Sequence, residues 1–202
     1  MGPFSGQLGP VIGYSWKGRA CMRTKQLRPK NPRTKKQQQN RMVFGITSKL
    51  GTSMAIATGI GLRSIADERR TCIVNIFISL NHHCINVEDD RVNINYSALK
   101  IADGQLTPVS FGEAVNEGGM QVGVDYSKAA YGGANDDYVY LLAYAPSLEQ
   151  SHLSMPTARS AHHISMTLPT LWQNREVHLY GFVWDHDRNA SPSSYLGNLT
   201  LT

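Results

Sequence analysis

The 202-residue chain predicts a mainly β protein with helices, of the α+β class, and three observations carry that reading. After Gly104, short β-like runs recur between segments rich in Gly, Asn, Asp, Pro and Ser, the texture of an immunoglobulin-like or fibronectin-like β-sandwich. Met42, Ile46, Leu50 and Met54 recur every four residues, which is a helical face. Phe4 to Lys25 is punctuated by Gly6, Gly9, Gly13 and Gly18 and reads as extended. The expected division is a basic, glycine-rich arm or hairpin over 1–33, a helical and mixed linker region over 34–103, and the sandwich over 104–202.

In the arm, Val11, Ile12, Tyr14, Trp16 and Met22 supply β-compatible bulk, and a hairpin turns near Lys17-Gly18. Pro29 and Pro32 then break regular structure. Thr34 suits a helix N-cap, with Gln37 at the third helical position as in a capping box. Gly45 and Gly51 each weaken the helix by roughly 1 kcal/mol relative to Ala, so a tertiary partner must hold it. From Asp67 to Leu80, the spacing of Ile73, Ile76, Phe77 and Leu80 favours a helix, while the β-branched run Thr71 to Ile78 leaves a buried strand as the alternative. Val92, Ile94 and Tyr96 alternate with polar residues, as in a strand.

Seven strands are expected in the last third to half of the chain: 107–111, 120–126, 138–145, 152–155, 163–168, 176–184 and 194–201. No pair of cysteines brackets a tryptophan there, which excludes the antibody-type sandwich. A fragment from Gly104 onward is expected to fold by itself, with Trp172, Tyr180, Trp184 and Tyr195 as core.

Charge is distributed unevenly. Residues 1–100 hold 16 Lys and Arg against 5 Asp and Glu, and residues 101–202 hold 4 against 10. The halves therefore carry +11 and −6 within a net +5. No acidic residue precedes Asp67. The densest stretch is Lys17, Arg19, Arg23, Lys25, Arg28, Lys30, Arg33, Lys35, Lys36 and Arg41, with Trp16 beside it. These eleven residues are the candidate polyanion-binding or partner-binding site. Lys35, Lys36 and Arg41 fall near the helix end that the macrodipole makes unfavourable for cations, a placement that external anions would explain.

Chemistry-bearing motifs are sparse. His82, His83 and Cys84 follow Cys72, but neighbouring side chains converge poorly and no compact CxxC or HxxxH pair is present. His162-His163 alternates across a strand, His178 falls on a strand surface, and His186 falls in a loop. Asp185 and Asp187 flank His186 without the terminal Glu of an EF-hand, and Asp136-Asp137 follows Gly132-Gly133 in a turn-like setting. There is no GxSxG elbow, no P-loop and no dinucleotide fingerprint, since Gly59-Ile60-Gly61 lacks its third glycine. No catalytic, cofactor or metal residues are assigned, and the chain is read as a non-enzyme.

The block Phe4-Ser5-Gly6-Gln7-Leu8-Gly9-Pro10-Val11-Ile12-Gly13 is followed by Trp16-Lys17-Gly18, Arg23, the Pro/Lys/Arg run to Thr34, Gln38 and Arg41. Near the other end stand Asp136-Asp137, Leu142-Ala143-Tyr144, Arg159-Ser160, Leu168-Pro169, Trp172, Val177-His178-Leu179-Tyr180 and Ser193-Ser194-Tyr195-Leu196-Gly197. With these blocks the chain resembles an uncharacterised family of small Bacteroidota proteins often present in several copies per genome. The resemblance implies no activity, catalytic residue or cofactor.

The leading expectation is a structural or adaptor protein acting through protein–protein assembly, by self-association or on an acidic protein surface; a phage-like virion or surface-filament component fits it. The first alternative is non-specific nucleic-acid binding through residues 17–41, and the second is an enzyme of unrecognised type. Three irregularly spaced cysteines argue against a disulfide framework. No stretch reaches the roughly 20 apolar residues of a membrane span. Neither a secretion signal nor a myristoylation motif is read at the N-terminus, where position 6 is Gly. A cytoplasmic location is the default expectation.

Overall fold

The computed structural model describes residues 4–28, 33–88, 91–127 and 132–201. It divides into two compact units, residues 1–39 and 40–202. The mixture of several sheets with helices is as expected, and none of the sheets closes on itself.

The first unit is a three-stranded antiparallel sheet, β1 (Gly6–Leu8), β2 (Val11–Trp16) and β3 (Arg19–Thr24). The expected hairpin turn is present: Lys17 and Gly18 both have positive φ, 50° and 76°, as a two-residue type I′ turn requires. The helix α1 (Lys35–Ser53) starts where the cap residue placed it. The Gln37 amide donates to Thr34 Oγ1 at 3.3 Å. Gln37 Oε1 has no partner, so the reciprocal half of the capping box is not formed.

In the second unit α1 continues into α2 (Ala55–Gly61) and α3 (Arg63–Glu68), each joined to the last through a single residue, and α4 (Ile73–Asn81) follows. The segment 67–80 is thus helical on both sides of a break at 69–72. Gly51 of α1 lies against the Phe77 ring of α4, where a Cβ would need the ring to move. This close packing is the partner that a glycine-weakened helix needs. The expected apolar stripe is buried only at its end: Leu50 and Met54 are core, while Met42 is 40% exposed.

A hairpin of β4 (Ile85–Glu88) and β5 (Arg91–Ile94) follows the helices. The remaining chain forms β6 (Ser110–Gly118), β7 (Gln121–Ser127), β8 (Tyr138–Ala145), β9 (Gln150–Leu153), β10 (Thr157–Ala158), β11 (His163–Thr167), β12 (Glu176–Trp184) and β13 (Ser194–Thr200). One sheet runs β10-β8-β12-β13 with β9 also on β8; the other runs β11-β7-β6. The strands at 138–145 and 176–184 coincide with the sequence expectation. The run expected at 107–111 begins later and extends to Gly118, through residues too polar to mark it. β9 and β10 share one edge of β8. Between them Ser154 continues the ladder, donating its amide to Leu141 O and accepting the Leu141 amide on its hydroxyl.

Two cores sit on opposite faces of β8 and β12. Val139, Leu141, Ala143, Val177, Leu179 and Val183 pack with Val122, Val124, Ile164 and Trp172 toward the β11-β7-β6 sheet. Leu142, Tyr144, Tyr180 and Phe182 pack with Leu50, Met54, Leu62 and Phe77 toward the helices. Gly181 leaves room on the first face for the Phe111 ring of β6.

Buried polar groups join these layers. Asn81 binds Phe77 O and Lys100 O through its amide nitrogen and accepts the Lys100 amide at 2.7 Å, which satisfies a fully buried side chain. Arg159, wholly buried, pairs with Asp137 at 3.0 Å and donates to Thr107 O at 2.7 Å. Asp137 also accepts the Ala134 amide at 2.9 Å. Among the described residues no helix is long and apolar enough to cross a membrane.

Two outcomes follow for stability. Because the helices cover one face of the β8–β12 sheet, a fragment of residues 40–202 should melt cooperatively. Residues 104–202 alone, with Leu142, Tyr144, Tyr180 and Phe182 uncovered, should not, contrary to the expectation from sequence. Circular-dichroism melts of both fragments check this, and a sharp melt of 104–202 would refute it. Asp137→Ala, which strands the buried guanidinium, should cost about 3–5 kcal/mol in chemical denaturation, with much of it recovered in Asp137→Ala/Arg159→Met.

Candidate interaction site

Register decides what the sheet of the first unit presents. Residues paired across antiparallel strands share a face, and neighbours along a strand alternate. β2 pairs Trp16 with Arg19, Tyr14 with Cys21 and Ile12 with Arg23, while β1 sets Gln7 opposite Ile12. One face thus gathers Tyr14, Trp16, Arg19 and Arg23. The other gathers Leu8, Val11, Gly13, Ala20 and Met22. Phe4 lies over Gly13 on that second face, so close that any Cβ at position 13 would strike its ring and carbonyl.

Apart from Phe4 over Gly13, no described residue of the first unit forms a second layer on either face. Leu8 is 72% exposed, Met22 71% and Trp16 57%, and Gly13 is the one buried residue among residues 4–28. The sheet is braced by the Lys25 amide donating to Pro10 O at 2.6 Å and by Lys25 Nζ donating to Gln7 Oε1 at 3.3 Å. Lys17 sits at the turn with its ammonium 5.1 Å from the Trp16 ring centroid, a cation–π contact.

Of the sequence-predicted site residues, the sheet therefore brings together Trp16, Arg19 and Arg23, with Lys17 at the turn and Lys25 beyond the end of β3. Arg28 is exposed after the sheet, and Arg33 is exposed ahead of α1. Lys30 lies outside the described residues. Lys35 and Lys36 are exposed in the first turn of α1, which holds no acidic residue, and Arg41 belongs to the second unit. Sequence reasoning named both the basic run and the β-compatible bulk of Val11, Ile12, Tyr14, Trp16 and Met22 but did not sort them by face, which the strand register decides: Val11 and Met22 lie on the face opposite Ile12, Tyr14 and Trp16.

The other residues singled out by sequence have local roles. Cys84 is buried, its thiol directed at Ala98 O at 3.4 Å, and burial pushes its pKa up. Cys72, His82 and His83 are exposed. Asp185 closes a turn by accepting both the amide and the side-chain nitrogen of Asn189. Asp137 is the buried partner of Arg159, a role its sequence neighbourhood did not reveal. His163 bridges strands, between Asp125 at 2.7 Å and Glu117 at 3.0 Å.

His178 departs from expectation. It is buried, not a strand surface position, because the outward face of β12 is roofed by the segment around Tyr96. Its ring stacks on Tyr96 at 4.2 Å, and its Nδ1 lies 2.8 Å from Tyr195 Oη. Desolvation lowers its pKa, with Glu176 opposing weakly. The neighbouring Tyr96 phenol is pushed up to about 12, chiefly by burial.

Comparison with known families gives a match over residues 3–197 to a family described as Family of unknown function (DUF6266). No curated protein matches the chain.

The depressed His178 pKa has a defined consequence. Below the unfolded value of about 6.5 the unfolded chain binds a proton that the native state resists, so stability is lost as pH falls through that value. Denaturation midpoints measured between about pH 7.5 and 5 should fall less steeply for His178→Gln than for the native chain. Parallel curves would show that His178 is not the group responsible.

Proposed function

The chain belongs to the family of unknown function DUF6266, and we propose that it works as a non-enzymatic assembly protein whose N-terminal sheet docks on a second copy of the same chain. The observation that carries this reading is a three-stranded sheet with no core of its own. Two- and three-stranded sheets need a covered hydrophobic face for stability, and here Leu8 and Met22 are open on that face. Charge selects the partner surface. Residues 1–39 hold nine Lys and Arg and no acid, whereas residues 40–202 hold eleven against fifteen. The arm carries +9 and the body −4, so arm meeting arm is repelled while arm meeting the body of another copy is attracted. The immunoglobulin-like reading of the strands in residues 104–202 belongs to this proposal and rests on strand number and texture; those strands share a core with the helices and form one layer of the second unit, not a separately folding module.

A second reading uses the opposite face. Tyr14 and Trp16 beside Arg19 and Arg23 match a platform for single-stranded nucleic acid, on which bases stack while arginines hold phosphates. The two readings separate by mutation because they use different faces.

Sedimentation velocity of the full chain at about 50 and 500 mM salt is the test. Dimers or larger species are expected at low salt, reduced by Leu8→Ser/Met22→Ser and left intact by Trp16→Ala. A chain that stays monomeric at all concentrations and salts would sink the assembly reading. Binding to labelled single strands that disappears with Trp16→Ala/Arg19→Ala/Arg23→Ala, with a salt slope reduced by about 0.7 per lost phosphate contact, would instead favour the nucleic-acid reading.

A further inference from the structure

A strand that ends a sheet leaves one row of backbone amides and carbonyls unpaired, and such an edge readily takes up another strand. In the first unit β3 is one of these ends. In the second unit the ends are β9 and β10 beside β8, then β13, β11, β6 and the two strands of the β4–β5 hairpin. Among them β6 stands apart in charge. It carries Glu113 and Glu117 and no Lys or Arg, whereas β4 has Glu88 opposite Arg91 of β5 and the others have no Asp or Glu. Every residue of β6 except Phe111 and Ala114 is exposed. β13 packs nearby, but no ladder joins it to β6.

Register puts both carboxylates on the outward face of the β11-β7-β6 sheet. Val115 pairs with Gly123, whose neighbours Val122 and Val124 point into the core. Ala114 pairs with Val124 and turns inward, so Glu113 turns outward with Val115. Glu117 lies across Gly123, where a Cβ would strike its carboxylate, and reaches His163 Nε2 at 3.0 Å. His163 holds Asp125 as well, at 2.7 Å. Glu113 is exposed and makes no hydrogen bond or ion pair among the described residues. No Lys or Arg lies on the three strands; Lys128, next along from β7, is outside the described residues.

β3 carries the complement at the same spacing. Arg19, Cys21 and Arg23 share one face, and Ala20 and Met22 share the other. Arg19 and Arg23 are four residues apart, as are Glu113 and Glu117, which is about 13 Å along a strand. Every ladder among the described residues is antiparallel. Paired in that sense with Cys21 opposite Val115, Arg23 meets Glu113 and Arg19 meets Glu117. The second face agrees, because the same register sets the exposed Met22 beside Ala114 at the rim of the core. A slip of one residue would turn both arginines to the core side, and a slip of two would leave both opposite uncharged residues. β6 is regular over 114–116, between two bulges, and the long side chains at 113 and 117 span them.

We propose that β3 of one copy adds to β6 of another, antiparallel and with Cys21 opposite Val115, joining two three-stranded sheets into one. This placement rests on the assembly reading above and supplies the surface of the body on which the arm docks.

Sedimentation velocity of the full chain at about 50 mM salt compares the native protein with Arg23→Glu and Glu113→Arg, both at exposed positions. Each reversal sets like charges opposite one another and should weaken association about tenfold or more. An equimolar mixture of the two variants should associate as the native chain does, because each arm then meets a body of opposite charge. Mild oxidation should link Val115→Cys to Cys21 of a second copy, and Asn116→Cys, on the other face, should stay unlinked. A native chain that remains monomeric sinks the assembly reading and this placement with it. If the native chain associates but Glu113→Arg does so equally tightly, or the mixture does not recover, the placement alone falls. Cross-linking through Asn116→Cys instead of Val115→Cys would overturn it too.

Discussion

Burial of β8 and β12 on both faces is the constraint from which the rest of the second unit follows. A strand at the surface of a sheet alternates apolar and polar residues; one covered on both sides must be apolar throughout. Tyr138–Ala145 and Glu176–Trp184 meet that demand with a division of labour. Most aliphatic side chains face the β11-β7-β6 sheet, and the aromatics Tyr140, Tyr144, Tyr180 and Phe182, with Leu142, face the helices. Large rings fit the uneven surface of packed helices, while compact Val, Leu and Ala suit the flatter approach of a second sheet. Among the described residues, this one pair of strands has helices packed on one face and the β11-β7-β6 sheet on the other.

Where loops enter this interior, polar groups answer one another. Asn81 satisfies both backbone groups of Lys100 and a carbonyl of its own helix, fixing the passage from helices to sheets. At the other end Arg159, just after β10, pairs with Asp137 and ties in the 134–137 turn and Thr107, while its Nε and Nη1 stay buried without a hydrogen-bond partner among the described residues. A guanidinium without solvent needs its carboxylate, and that need specifies the loop geometry more tightly than apolar contact would. Gly133 lies directly against the guanidinium, with no space for a side chain.

The first unit obeys the opposite logic. Its hairpins are specified locally, by Gly9 at φ 57° in one turn and Lys17-Gly18 in the other, and its strands pair in a clean register. Nothing within the sheet buries its side chains. A local fold without a core presents two surfaces of distinct chemistry, one apolar and one aromatic and basic, and each of the two proposed readings draws on one of them.

What the sequence by itself determined is whatever depends on near neighbours. The Lys17-Gly18 turn, the Thr34 cap, the strands at 138–145 and 176–184, and the basic charge of the arm are all legible, because turn dihedrals, capping and charge are properties of a few consecutive residues. Membership of an uncharacterised family over most of the chain was legible as well. What only the tertiary structure decided depends on which faces meet. The uninterrupted apolar run of β8 shows that both its faces are buried, but not that helices 90 residues earlier cover one of them. His178 reads as a surface residue in its own strand and becomes buried only because Tyr96 arrives from a distant segment to stack on it. Arg159 and Asp137 are two charges in separate loops until the fold excludes water from both, and Asn86 and Asn93 form a pair only through the hairpin register. Dihedral preference is encoded residue by residue; burial and convergence are encoded by the whole chain at once.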